Sequence, residues 1–211
     1  MTKKEKAIFV VRELKKEYPV SKCTLNFSNP LELLVAIRLS AQCTDERVNM
    51  VTPLLFSKYK TLEDFANADP NSVAKYIYSC GFYKTKSQNI VDMCKDILNK
   101  FGGIMPDNMD DLLSLPGIGR KTANLFLGEV YGKPAIVVDT HFIKITKRLG
   151  FHNTKDPLQI EKIMLEYIPE DESLNFCHRV VEHGRMVCTA RSPKCENCVL
   201  KSVCKFFRQN T

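Results

Sequence analysis

Long apolar runs are missing from this 211-residue sequence. No stretch approaches the roughly 18 consecutive apolar residues of a membrane-spanning helix. The opening Met1-Thr2-Lys3-Lys4-Glu5-Lys6 lacks the apolar centre of a signal peptide. No membrane association is expected, and the expected location is cytoplasmic. Glycine and proline sit at the ends of periodic segments rather than in clusters, so low-complexity tracts, linkers and short repeats are absent as well. Strand patterning is nearly absent, because Ala135-Ile136-Val137-Val138 is too short to build a sheet.

What remains is helical. With 44% hydrophobic residues the chain can bury a substantial core as one large domain or two small ones. Its 31 Lys and Arg against 24 Asp and Glu give a net charge of +7, which serves solubility and permits a nucleic-acid partner. Residues 2–18 form an amphipathic pattern with Ile8, Val11, Leu14 and Tyr18 at helical spacing. Asn29-Pro30 has cap chemistry for a central helix to about Gln42, and Thr44-Asp45 starts another ahead of Val48, Val51 and Leu54. Two short helices follow over 61–67 and 70–79, stopped by Gly81. Phe82 lies just past that stop, where a bulky side chain is expected to fold back and pack. A long helix then runs from Tyr83 to Phe101 with Ile90, Cys94 and Ile97 on one face, and Gly102-Gly103 ends it. Lys84 and Lys86 in its first turn face phosphate or water. Further helices are expected over 142–149, from Asp156-Pro157 to Tyr167, and over 172–187.

The segment from Asp111 to His141 carries the most chemistry. Two helical pieces are separated by Pro116-Gly117-Ile118-Gly119, a turn in which glycine supplies positive φ or close approach. The amides from Gly117 to Lys121 then stand at the positive end of a helix, a place suited to a phosphate oxygen. Lys121 lies in that first turn, where the macrodipole disfavours an ammonium, and a neutral amine is a nucleophile. Asp139 precedes Thr140-His141-Phe142-Ile143 as a natural N-cap. A solvated lysine and a simple cap are the competing readings of these two residues.

Nine cysteines divide into two groups. Cys23, Cys43, Cys80, Cys94 and Cys177 are dispersed in apolar helical pieces and read as buried small hydrophobes. Cys188, Cys195, Cys198 and Cys204 form C-x6-C-x2-C-x5-C in a turn-rich segment, a metal site. Spacing alone leaves zinc and an iron-sulfur cluster open, since both take four thiolates.

Leu115-Pro116-Gly117-Ile118-Gly119-Arg120-Lys121-Thr122-Ala123 followed by Val138-Asp139-Thr140-His141 resembles the helix-hairpin-helix and aspartate of the DNA glycosylases of the endonuclease III type. The resemblance covers nearly the whole chain. It implies an all-α fold of two lobes: a helical barrel over 23–133 with the hairpin, and a discontinuous cluster domain of 1–22 with 134–211. The active site is then expected in the cleft between them. Lys121 is implied as nucleophile and Asp139 as the essential carboxylate. The four C-terminal cysteines are implied to hold a [4Fe-4S] cluster, with zinc as the alternative; four thiolates and a +2 core would leave the charge at about +5.

The partner implied is double-stranded DNA containing damaged bases or abasic sites, which makes the chain nucleoid-associated when bound, with a monomer as the family default. Gln42 is implied to fill the gap left by an everted nucleotide. Gly81-Phe82-Tyr83 is implied to be the wedge loop, although the family more often carries an aliphatic side chain at the Phe82 position. Lys84, Gly117, Gly119, Arg120 and His141 complete the DNA-facing set, with Arg191 and Lys194 from the loop between the first two C-terminal cysteines. The activity implied is removal of oxidised pyrimidines with strand cleavage at the abasic site by β-elimination. Its rivals are a monofunctional glycosylase for mismatched or alkylated bases and a non-enzymatic iron-sulfur DNA-binding protein.

Overall fold

The computed structural model describes residues 1–210, and among them there is no β-strand. In chain order the α-helices are α1 (Lys3–Glu17), α2 (Pro30–Ser40), α3 (Asp45–Lys58), α4 (Leu62–Ala66), α5 (Pro70–Ile77), α6 (Tyr83–Phe101), α7 (Met109–Ser114), α8 (Arg120–Tyr131), α9 (Thr140–Leu149), α10 (Pro157–Leu165), α11 (Ser173–Met186) and α12 (Lys205–Asn210). Single 3₁₀ turns occur at Glu170–Glu172, Cys195–Asn197 and Lys201–Val203. Most starts are set by short polar side chains that accept a hydrogen bond from an amide of the first turn. Thr2, Asn29, Thr44, Thr61, Asp69, Asn108, Asp139 and Asp156 all do so.

The chain divides into two compact units, Cys23–Tyr131 and a discontinuous one made of Met1–Lys22 and the chain from Gly132 onward. In the first, α2 is apolar nearly all round, with Leu31, Leu33, Leu34, Val35, Ala36, Ile37 and Leu39 buried. Such a helix belongs at the centre of a core. It packs against α3, α6 and α8, while α4 and α5 lie on α6. The outer helices are amphipathic and supply Ile90, Cys94, Ile97 and Phe126 to the same core.

In the second unit α1 and α9 pack on α11, and α12 on α9. Phe142 of α9 meets Phe176 of α11 edge to face at 5.8 Å. Ala135–Val138 is buried and lies outside any helix or strand. Two of its amides are satisfied by α11 side chains: Ala135 N donates to Ser173 Oγ at 3.0 Å, and Val137 N to Cys177 Sγ at 3.2 Å.

Two expected core positions are displaced. Ile8 is 50% exposed, the buried stripe of α1 being Ala7, Val10, Val11 and Leu14. Leu54 is 67% exposed, and Val48, Thr52 and Leu55 form the inner face of α3. Adjacent apolar residues allow two helical registers about 100° apart, and only packing decides between them. Truncating Leu34 to alanine at the centre of the first unit should cost about 2–5 kcal/mol, measured as a lowered urea midpoint with an unchanged denaturant slope.

Candidate nucleic-acid interface and metal centre

The hairpin turn follows α7 directly. Ile118 N donates to Leu115 O at 3.2 Å, closing the turn, and Ala123 N donates to Gly119 O at 2.9 Å as α8 begins. Gly117 has φ +77°, and a Cβ there would lie 2.3 Å from Arg38 Nε and 3.0 Å from Asn89 Oδ1. Both reasons require glycine: left-handed backbone and a contact closer than any side chain permits. Arg38 of α2 is held in place by Asn89 of α6, which accepts from Nη2 at 2.7 Å, while its Nε is buried without a hydrogen-bond partner. Burial pulls this guanidinium below its ordinary pKa. The hairpin therefore rests on a fixed cation. Above it Gly117, Gly119, Arg120 and Lys121 are exposed, with the first-turn amides of α8 at the positive end of the helix.

Two other candidates share a conformation. Gln42 (φ +53°) and Phe82 (φ +59°) are the non-glycine residues with positive φ among those described. Left-handed backbone costs a side-chain-bearing residue about 1–2 kcal/mol. The two loops touch, because a Cβ on Gly81 would lie 3.7 Å from Gln42 O. Phe82 does not fold back as expected: it is 68% exposed, and it starts α6 with no side-chain cap. Its left-handed φ turns the side chain outward.

Lys84 is exposed one turn away, but Lys86 is 1% exposed and cannot meet phosphate. Its Nζ donates instead to Leu39 O at 2.8 Å, at the end of α2 next to the Gln42 loop. Burial lowers its pKa, opposed by nearby Cys43 and Cys80. Lys86 ties α6 to the Gln42 loop from below. A signal for it exists in the sequence, since position 86 lies four residues before Ile90 on the apolar face of α6.

In the discontinuous unit, Asp139 caps α9, its Oδ1 accepting from Phe142 N at 2.7 Å. It is half-buried, which leaves the carboxylate accessible beyond its cap role. His141, in the first turn, packs on α11 where Gly184 makes room; a Cβ there would stand 2.4 Å from its Nδ1. Burial lowers the His141 pKa, with neighbouring Asp139 acting against it. Lys121 and Asp139 thus belong to different units and are each set at a helix start.

Cys188, Cys195, Cys198 and Cys204 line one open pocket together with Val187, Pro193, Lys194, Lys201 and Phe207. All four are free thiols, and among the described residues no three such side chains already stand in closed metal-ligand geometry. Consecutive turns bring them together: Cys188 N donates to His183 O at 2.8 Å, Cys198 N to Cys195 O at 3.1 Å and Cys204 N to Lys201 O at 3.3 Å. Burial pushes the Cys198 thiol up to about 11, and the other three sulfurs add to the rise. Four thiols lining one pocket are the donor set that a metal or cluster takes, so the residues fit such a group.

Arg148 of α9 braces the segment. It donates from Nη1 to Cys188 Sγ at 3.2 Å and Thr189 O at 2.8 Å, and from Nη2 to Ala190 O at 2.9 Å. Its guanidinium also lies over the Phe206 ring at 4.5 Å. Arg191 and Lys194 are exposed on the loop so held.

Residues 35–170 match the family described as HhH-GPD superfamily base excision DNA repair protein. Residues 188–204 match the iron-sulfur binding domain of endonuclease III. The chain is 43% identical over 204 residues to endonuclease III of Synechocystis sp., covering 96% of this chain and 93% of that one. Two solved structures superpose with TM-score 0.92 at 40% identity, each covering 100% of this chain. One is a non-covalent endonuclease III–DNA complex, of which 98% is covered, and the other a trapped endonuclease III–DNA covalent intermediate, of which 99% is covered. The group taken by the C-terminal segment is accordingly an iron-sulfur cluster. Arg148→Ala leaves the carbonyls of Thr189 and Ala190 without their donor, and should lower the iron bound per chain and speed its loss to a chelator, read from visible absorbance and iron analysis.

Proposed function

Because the chain belongs to the HhH-GPD superfamily of base excision DNA repair proteins, we propose that it is a bifunctional DNA glycosylase and abasic-site lyase of the endonuclease III type. Its substrate is duplex DNA carrying an oxidised pyrimidine. The observation that carries this reading is Lys121: an exposed lysine in the first turn after a two-glycine hairpin, in a chain whose neighbours include a covalently trapped DNA intermediate.

Phosphates are held by the amides after Gly117 and Gly119, helped by Arg120, Lys84, Arg191, Lys194 and His141. Gln42 and Phe82 enter the duplex as the damaged nucleotide leaves it, an eversion costing a few kcal/mol that damage reduces. A probe held in left-handed backbone beforehand supports that assignment. The two units divide the work, Cys23–Tyr131 carrying the hairpin and the probe loops, and the discontinuous unit carrying Asp139 and the cluster segment.

The Lys121 amine, once neutral, attacks the sugar C1′. The bond to the base breaks, its electron pair leaves with the base, and a proton neutralises the base. Opening of the sugar ring gives a Schiff base between Lys121 and C1′. That iminium acidifies the C2′ proton, whose loss expels the 3′ phosphate oxygen by β-elimination, and water then releases the amine. The Asp139 carboxylate stabilises the positive charge that develops at the sugar.

Cys188, Cys195, Cys198 and Cys204 hold a [4Fe-4S] cluster, a nuclearity that uses all four thiolates. When bound, the cluster cross-links three turns and keeps the Arg191–Lys194 loop in shape. Borohydride reduction during turnover of a duplex with one thymine glycol should trap a protein–DNA link in the wild type, and Lys121→Ala should abolish it. Asp139→Asn should slow base release by about two to three orders of magnitude, measured by single-turnover kinetics. Base release without any trapped link would favour the water-activating, monofunctional reading. Neither product, on this lesion or on an abasic site, would favour a DNA-binding protein.

A further inference from the structure

His183 has no part in the chemistry above, yet it is among the most completely buried polar residues of the chain, at 1% exposure. It lies on α11 one turn beyond Arg179, on the same face as Phe176 and Val180. Its two ring nitrogens have different partners. Nε2 lies 3.4 Å from Cys198 Sγ, and Nδ1 lies 3.0 Å from Tyr18 Oη. The tyrosine ring meets the imidazole edge to face at 5.9 Å. Tyr18 is itself pinned at the end of α1: its amide donates to Leu14 O at 2.9 Å, and its carbonyl accepts from Arg179 Nε at 3.3 Å. The backbone of His183 serves the same segment, its carbonyl accepting from the amides of Val187 and Cys188.

We propose that Tyr18 and His183 form a hydrogen-bond chain ending on the Cys198 sulfur, which orients that ligand and raises the reduction potential of the bound cluster. The proposal rests on the iron-sulfur reading given above. Its direction follows from counting protons. A thiol can donate to Nε2, with Nδ1–H then donating to the tyrosine oxygen. A cluster-bound thiolate has no proton and only accepts, so Nε2 must carry the hydrogen whatever the charge of the ring. In a singly protonated ring, Nδ1 is then an acceptor, and the Tyr18 hydroxyl turns to donate to it. The same three groups therefore support two polarities, and loading of the cluster selects one.

The selected polarity has an electronic consequence. An N–H directed at a cysteine sulfur draws electron density from it and favours the more negative, reduced cluster. The Tyr18 hydroxyl at the far nitrogen makes Nε2–H a stronger donor. With Arg148 donating to Cys188, two of the four sulfurs receive side-chain N–H groups from the helices that carry the segment.

The test uses the cluster-loaded full chain with ¹⁵N-labelled histidine. Electron–nuclear spectroscopy of the paramagnetic one-electron state should detect coupling to a single histidine nitrogen, and His183→Phe should remove it. Voltammetry should give a lower potential for His183→Phe than for wild type, with Tyr18→Phe shifted the same way by less. Loss of ¹⁵N coupling in a variant that keeps wild-type iron content separates an electronic role from simple packing. Absence of the coupling in wild type overturns the proposal. A wild-type potential in loaded His183→Phe does so too. Should His183→Phe fail to load, Tyr18→Phe decides, and an unshifted potential there rejects the chain. A wild-type protein that binds no iron would instead remove the cluster reading itself.

Discussion

Every α-helix leaves its first amides and last carbonyls without partners, and in an all-helical protein that constraint falls on each connection. Here it is met in two ways. Where Thr, Asn or Asp caps a helix, a side chain satisfies the first amides, as at Thr44 just after Gln42. The start of α6 is handled differently, with left-handed Phe82 and no side-chain cap. Before α8 stands Gly119, which has no side chain to offer. These two starts carry the Phe82 loop and the Gly117–Gly119 turn. Asp139 combines both solutions, capping α9 while remaining half-exposed.

Legibility in the sequence follows the same division. Caps and glycine stops are local, so the ends of α6 and α9 and the turn at Gly117 could be read from neighbouring residues alone. The hairpin motif, Lys121, Asp139 and the four-cysteine spacing are local in the same sense. The supports beneath them are not. Arg38 under Gly117 and Lys86 under the Gln42 loop come from helices distant in sequence, and His183 reaches Cys198 from the preceding helix. A polar residue recurring at core spacing is a usable signal, but its partner is visible only in three dimensions. Ile8 and Leu54 illustrate the other limit, where adjacent apolar residues leave the rotation of a helix to packing.

The buried polar groups also explain how a helical scaffold holds irregular backbone. Lys86 places a charge where desolvation is costly, and the Leu39 carbonyl that it reaches would otherwise compete for water at a helix end. Arg38 brings a guanidinium under a turn that admits no side chain. Such contacts add little net stability, since the charges lose hydration, but they exclude other arrangements of the loops. Specific geometry, rather than stability, is what these residues contribute.

In the probe role proposed for them, the left-handed backbone of Gln42 and Phe82 bears on the speed of a search. A protein that meets far more intact base pairs than damaged ones spends most of its encounters on DNA it must release. If its probe had to fold at each encounter, the protein's own rearrangement would set the dwell time. With the strain already accepted in the free protein, the slow coordinate passes to the duplex, and dwell time reports how readily a given pair opens. The weakness of a damaged pair is then read as a rate before any bond is broken.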